Sequence, residues 1–218
     1  MTAESKARLE LFDGGVPSRV VIPPTKPSWV LYLLHGRGDD EASWLAKGAA
    51  AALLERAPVA ALVAMPFGFV TRENHAQRKF PTRQEFARSF DTFIARFERE
   101  HAALLSGDVR RAVAGLSMGG KQALEYGFDN AVRFDALGAF SPAIQTMEDA
   151  MERSVRSRAD ARPRLFVSCG VTEEHAAITV ASERLRRCLA PSDRFESLAG
   201  GHDWQVWQES LRRFLAWL

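Results

Sequence analysis

Cysteine is scarce in this chain: Cys169 and Cys188 are the only two. Two thiols in 218 residues make no disulfide framework, and no Cys/His cluster has zinc spacing, so neither metal nor cofactor is expected. Long hydrophobic runs are missing as well. No uninterrupted apolar stretch is long enough to span a bilayer, which argues against a membrane helix. The stretch Met1 to Leu9 lacks the apolar centre of a signal peptide, so a reducing cytoplasm is the expected compartment. Charge of one sign is not in excess. Lys and Arg number 29 against 27 Asp and Glu, a formal net charge of +2, and no basic run occurs. That leaves no electrostatic footprint for nucleic acid. There is no internal repeat and no low-complexity segment, so residues 1–218 read as one domain with room for a large core.

What is present centres on Gly115-Leu116-Ser117-Met118-Gly119. Before it, Arg111 to Ala114 reads as a short buried strand; after it, Gly120 to Tyr126 reads as a helix. Strand, G-x-S-x-G and helix are the context of a nucleophile elbow. The turn is tight, so the serine's neighbours need small side chains, and Gly115 and Gly119 supply them. The helix N-terminus then points its unpaired N–H groups at any anion formed beside Ser117.

The rest of the chain alternates strand and helix patterns. Leu9–Phe12 and Arg19–Ile22 read as a hairpin at a sheet edge. Trp29–Leu34 reads as a strand buried on both faces, and Val59–Met65 as the next. Between them an Ala-rich helix is expected from about Glu41 to Arg56, capped by Asp39 or Asp40. Pro66 to Pro81, with Phe67, Phe69, Arg72, Asn74 and His75, reads as an irregular segment at the elbow's end of the sheet. Phe86, Phe90, Phe93, Ile94 and Phe97 recur at helical spacing within Arg83–Ala103. Strands follow at Phe134–Phe140, Arg164–Ser168 and Phe195–Leu198. Helices are expected at Ile144–Arg158, at Ala176–Leu189, and from the N-cap Asp203 to the end. This alternation predicts a mostly parallel sheet with helices on both faces. Right-handed crossovers and the elbow specify an α/β-hydrolase fold. Only Ser141 to Arg162 is available as a cap, so no separate lid domain is expected.

A serine hydroxyl needs a base, and the base needs an orienting acid. In this fold they follow the serine in the order acid, then histidine. Two histidines come after Ser117. His202 lies in Gly200-Gly201-His202-Asp203, between the last strand and the last helix, where the base belongs; His175 starts the preceding helix. The acid is expected after the Arg164–Ser168 strand, in a loop that holds Glu173 and Glu174 and no aspartate. Adjacent glutamates at a helix start also suit its dipole, so at least one of the two is read as structural. Asp160 precedes the strand and is less well placed. The Met118 amide is one oxyanion donor. The second is expected from His35-Gly36-Arg37-Gly38, at the Arg37 amide, with His35 itself structural. Asp39-Asp40-Glu41 looks like a metal site but is better explained as a helix start.

Four segments resemble the esterase D family of α/β-hydrolases, which includes S-formylglutathione hydrolases, tributyrin and feruloyl esterases, enterochelin esterases and mycolyltransferases. They are Tyr32-Leu33-Leu34-His35-Gly36 with Trp44, Ala114 to Gly120, Phe134 to Ser141, and Gly200-Gly201-His202-Asp203-Trp204 with Trp207. The resemblance implies Ser117 as nucleophile, His202 as base, and the Arg37 and Met118 amides as oxyanion hole. It places the acid three residues after Gly170, at Glu173, where the family usually has aspartate. Glu174 is the alternative acid. The loop around Phe67 to Asn74 lacks the family's usual sequence, so substrate class does not carry over. The expected activity is hydrolysis of a small-molecule carboxylic ester or thioester through an acyl-enzyme. An acyltransferase on the same machinery, and an inactive hydrolase fold used for binding, are the alternatives; a homodimer is left open.

Overall fold

The Trp29–Leu34 run is buried at every position, and its side chains divide by parity. Val30, Tyr32 and Leu34 enter one apolar cluster; Trp29, Leu31 and Leu33 enter another. A strand covered on both faces needs continuous hydrophobicity, and its two-residue period decides only which layer each side chain joins. The computed structural model describes residues 6–68, 76, 81–144, 149–156 and 162–218. Within them, eight strands form one sheet: β1 (Arg8–Asp13), β2 (Pro17–Ile22), β3 (Trp29–Leu34), β4 (Ala61–Pro66), β5 (Arg110–Leu116), β6 (Ala136–Phe140), β7 (Arg164–Gly170) and β8 (Arg194–Leu198). Their spatial order is β1-β2-β4-β3-β5-β6-β7-β8. The β1–β2 hairpin and the β2–β4 pair are antiparallel, and every pairing from β4 to β8 is parallel. The expected edge hairpin and mostly parallel sheet are both present, in an α/β-hydrolase architecture.

The helices are α1 (Ser43–Ala46), α2 (Ala50–Glu55), α3 (Arg83–Glu100), α4 (Met118–Asp129), α5 (Asp149–Arg156), α6 (Ala176–Arg186) and α7 (Trp204–Trp217). Helices α3, α4, α5 and α6 contribute to the cluster on one face, and α1, α2 and α7 to the other. Helix α3 begins at a capping box between Thr82 and Glu85 and buries the five expected apolar side chains. Three of its phenylalanines, Phe90, Phe93 and Phe97, meet the Tyr32 ring edge-on at 5.6–6.4 Å. Among the described residues between β6 and β7, α5 is the one helix and there is no separate lid domain.

The expected helix over Glu41–Arg56 is instead two short ones. Lys47 to Ala49 separates them, and Ala49 takes the left-handed conformation at φ 51°. The break falls at Gly48, a weak helix former, where a residue far along the chain also packs. Trp204 of α7 packs edge-on against Trp44 at 5.3 Å, and both rings press on Gly48, where a Cβ would come within 2.6 Å of Trp44 and 2.9 Å of Trp204. Neither aspartate caps α1: Asp40 closes a turn with the Ser43 hydroxyl at 3.0 Å, and Asp39 pairs with Lys47 at 2.7 Å. Phe69, Arg72, Asn74 and His75, Asp160, and parts of the expected Ile144–Arg158 helix lie outside the described residues.

The sheet aligns one set of strand ends. Leu34 pairs with Gly115, Leu116 with Phe140, Phe140 with Ser168, and Gly170 with Leu198. The loops after β3, β5, β7 and β8 therefore leave the sheet at the same edge. From β3 the chain goes to β4 on one side and β5 on the other, which opens a crevice beyond the carboxyl ends of β3 and β5.

Candidate active site

Ser117 sits at the β5–α4 turn with φ 50° and ψ −114°, a conformation rarely tolerated outside glycine and costing on the order of 1–3 kcal/mol. Its surroundings hold it there. The Ser117 N–H donates to the Phe140 carbonyl at 2.8 Å, and its own carbonyl accepts from Ala143 at 2.9 Å and Lys121 at 3.1 Å. The flanking glycines are required by contact. A Cβ on Gly115 would lie 2.5 Å from the Gly119 carbonyl carbon, and one on Gly119 would lie 2.5 Å from the His35 carbonyl oxygen. The turn thus threads between β5 and the β3 loop with no room for a methyl group.

The β8–α7 loop brings His202 to Ser117. Asp203 caps α7 through the Gln205 and Val206 amides at 2.8 and 3.0 Å, and its other oxygen turns back to the Gly201 N–H at 3.0 Å. Burial works to raise the Asp203 carboxyl, but these three amide bonds outweigh it and hold it below its ordinary value. His202 Nε2 lies 2.9 Å from Ser117 Oγ, and Nδ1 lies 2.8 Å from Glu173 Oε2. The Glu173 side chain is fully buried and that of His202 is 15% exposed. The other Glu173 oxygen accepts the His175 N–H at 3.1 Å. Trp207 and His175 each present a ring edge-on to the His202 imidazole at 5.0 Å. With an acceptor at Nδ1 and a hydroxyl at Nε2, the arrangement suits the neutral Nδ1–H tautomer, which leaves Nε2 free to take the serine proton.

The two glutamates do not sit at a helix start, because α6 begins only at Ala176. They lie in the preceding loop, and each touches the same histidine. Glu173 faces the ring, while Glu174 Oε2 accepts the His202 backbone N–H at 3.1 Å. Sequence reasoning missed that second contact. No local pattern signals it, since its partner lies 28 residues away.

On the opposite side of Ser117 lies the β3 loop. A Cβ on Gly36 would stand 3.5 Å from the Ser117 Cβ, so this backbone passes directly against Ser117. His35 is buried. Its Nδ1–H donates to the Gly36 carbonyl at 2.8 Å and its Nε2 accepts the Gly68 N–H at 2.9 Å, tying the β3 and β4 loops together. The Gln122 amide adds a bond to the Gly68 carbonyl at 3.2 Å. The Trp44 indole holds the end of β3 through the Leu34 carbonyl at 3.0 Å. Arg37 and Met118 both line the cleft around Ser117, and the Met118 N–H, first in α4, has no partner within the helix.

That cleft measures about 710 Å³ and holds Ser117 and His202 in its wall. Phe86, Tyr126, Ile144 and Ile178 supply apolar lining, and Lys121 and Glu125 a polar rim. Beside Glu173, burial and then the charge of that carboxylate outweigh the neighbouring serine hydroxyls and push the Cys169 thiol up. Among the described residues, no group of three His, Cys, Asp or Glu side chains could hold a metal ion. No described helix is long and apolar enough to cross a membrane.

The Esterase family profile ("Putative esterase") matches residues 16–218. An endo-1,4-beta-xylanase/feruloyl esterase from Xylanibacter ruminicola is 25% identical over 191 residues, covering 84% of this chain. The chain spans about a quarter of the length of that relative, 25%. Among solved structures, S-formylglutathione hydrolase from Staphylococcus aureus superposes with a TM-score of 0.67 at 16% identity, covering 97% of this chain and 95% of that one. A predicted CIB-like hydrolase from Thermoplasma acidophilum gives 0.70 at 16% identity, covering 97% and 99%. Those two likenesses speak to the fold, whereas the family match runs from the start of β2 through the last helix. The chain therefore belongs to the Esterase family.

Proposed function

We propose that the protein cleaves a small-molecule carboxylic ester or thioester with Ser117 as nucleophile, His202 as general base and Glu173 as orienting acid. The observation that carries this reading is the unbroken hydrogen-bond chain from Ser117 Oγ to His202 Nε2 at 2.9 Å and from Nδ1 to Glu173 Oε2 at 2.8 Å. As Ser117 attacks the carbonyl carbon, His202 takes its proton. The charge that develops on the carbonyl oxygen is met by the Met118 and Arg37 amides, fixed dipoles that need no rearrangement. Glu173 stabilises the imidazolium across the ring. Collapse of the tetrahedral intermediate breaks the bond to the alcohol or thiol, which leaves with the proton from His202. Water, deprotonated by His202 in turn, then attacks the acyl-Ser117 ester and releases the acid. A binding module with no chemistry would have no use for a buried carboxylate aimed at a histidine aimed at a strained serine.

The test is a panel of p-nitrophenyl esters and acyl thioesters of graded chain length, run on wild type and Ser117→Ala. A serine-reactive phosphonate should label Ser117 stoichiometrically. Ser117→Ala should stay folded by circular dichroism and lose on the order of 10⁴-fold or more in turnover. Near-normal turnover in a folded variant would sink the assignment.

A further inference from the structure

We propose that Glu174 is a positioning residue for the reaction: it holds the backbone of His202 while Glu173 holds the ring. The inference rests on the Ser117–His202–Glu173 reading above and adds a residue to it.

The loop that carries His202 is Gly200-Gly201-His202-Asp203, and its glycines give it little stiffness of its own; Gly200 takes φ 122°. The imidazole must nevertheless keep two contacts at once, one at each nitrogen. Three hydrogen bonds supply the rigidity, two of them from outside the loop. The Thr172 N–H donates to the Gly200 carbonyl at 3.0 Å, Asp203 accepts the Gly201 N–H at 3.0 Å, and Glu174 accepts the His202 N–H at 3.1 Å. Of these three, only the Glu174 bond acts on the residue that carries the base.

A second observation shows how closely Glu174 is fitted. A Cβ on Gly201 would lie 2.5 Å from Glu174 Oε1, so the carboxylate packs directly against the loop backbone beside His202. The Glu174 carboxyl is also held below its ordinary value, first by its own backbone N–H and then by that of His202. Glu173 and Glu174 are adjacent, so a single loop conformation sets both contacts. With both contacts made, the ring and backbone of His202 are fixed to one loop, and losing either lets the imidazole move relative to Ser117. A misplaced base is costly, because a displacement of about 1 Å at a reacting group can cost up to about a hundredfold in rate.

The accepted bond, rather than the charge, is the element that matters in this scheme. Glutamine keeps an oxygen that can accept the His202 N–H; alanine keeps nothing. The experiment compares Glu174→Ala and Glu174→Gln with wild type and with Glu173→Gln. It measures kcat and KM on a p-nitrophenyl ester, melting temperature, and hydrogen exchange of the His202 amide by NMR. Glu174→Ala should lower kcat roughly tenfold with KM little changed, and should speed exchange at the His202 amide. Glu174→Gln should recover most of the rate and of the amide protection, while Glu173→Gln should lose at least about a hundredfold. Wild-type kcat with unchanged amide exchange in Glu174→Ala would overturn the proposal and leave the triad standing. A Glu174→Gln variant as slow as Glu174→Ala would also overturn it, since the accepted bond would then not be what matters. If instead Glu173→Gln were silent and Glu174→Gln inactive, the triad acid itself would be reassigned, a failure of the proposed function that this pattern makes distinguishable.

Discussion

Replacing Glu173 with glutamine changes one oxygen to an NH₂ group, and the surroundings decide what that does. The Glu173 side chain is fully buried, with one oxygen facing His202 Nδ1 at 2.8 Å and the other accepting the His175 N–H at 3.1 Å. Both neighbours are donors in the working state, and glutamine has one acceptor oxygen for the two. If that oxygen turns to His175, the NH₂ faces His202 and donates to Nδ1. The ring must then carry its proton on Nε2, where it blocks proton transfer from Ser117. If the oxygen turns to His202 instead, the glutamine NH₂ and the His175 N–H oppose each other as two donors, and the buried NH₂ is left without an acceptor. The first arrangement is therefore favoured, and the wrong tautomer predominates. Loss of the orienting carboxylate in this way costs up to about 10⁴-fold in kcat, so a fall of at least about a hundredfold is expected with KM little altered. Glu173→Asp keeps the charge and the tautomer but shortens the reach by about 1.5 Å, so it should fall between wild type and glutamine. The assay is steady-state hydrolysis of a p-nitrophenyl ester, with circular dichroism to show that the variants fold. Glu173→Gln within a few-fold of wild type would refute the reasoning and move the acid outside this contact.

Two further outcomes are expected. Asp193→Ala should cost about 3–5 kcal/mol in urea unfolding, because Arg162 and Asp193 form a desolvated pair with side chains 2% and 0% exposed, and removing one partner strands the other's charge. A loss below about 1 kcal/mol would mean that water reaches Arg162. EDTA should leave ester hydrolysis unchanged, because the proposed oxyanion donors are the backbone amides of Arg37 and Met118; strong inhibition reversed by zinc or calcium would point to a metal site involving Asp39 or Asp40.

Much of the architecture was legible along the chain because its determinants are local. A nucleophile elbow needs small residues on either side of the serine, and Gly115 and Gly119 are where contact with Gly119 and His35 backbone demands them. The α3 face is written in five apolar residues at helical spacing, and all five are buried. Asp203 announces the start of α7, and that start delivers His202 to the elbow's end of the sheet. In each case a few consecutive residues carry the whole physical reason.

Tertiary structure decided what depends on partners far along the chain. The Ala-rich run after Glu41 is interrupted locally by Gly48 alone, and the run divides there, where the Trp44 and Trp204 rings close on it. The Glu173–Glu174 pair is locally symmetric, and a helix start at either residue would have been consistent with its neighbours. What separates them is the position of His202, 28 and 29 residues on: its ring meets one carboxylate and its backbone the other. Local propensity assigns elements because its energies act within a turn or two. The roles of two adjacent carboxylates depend on a through-space contact a few ångströms long, which exists only once the sheet has set the β7 and β8 loops side by side.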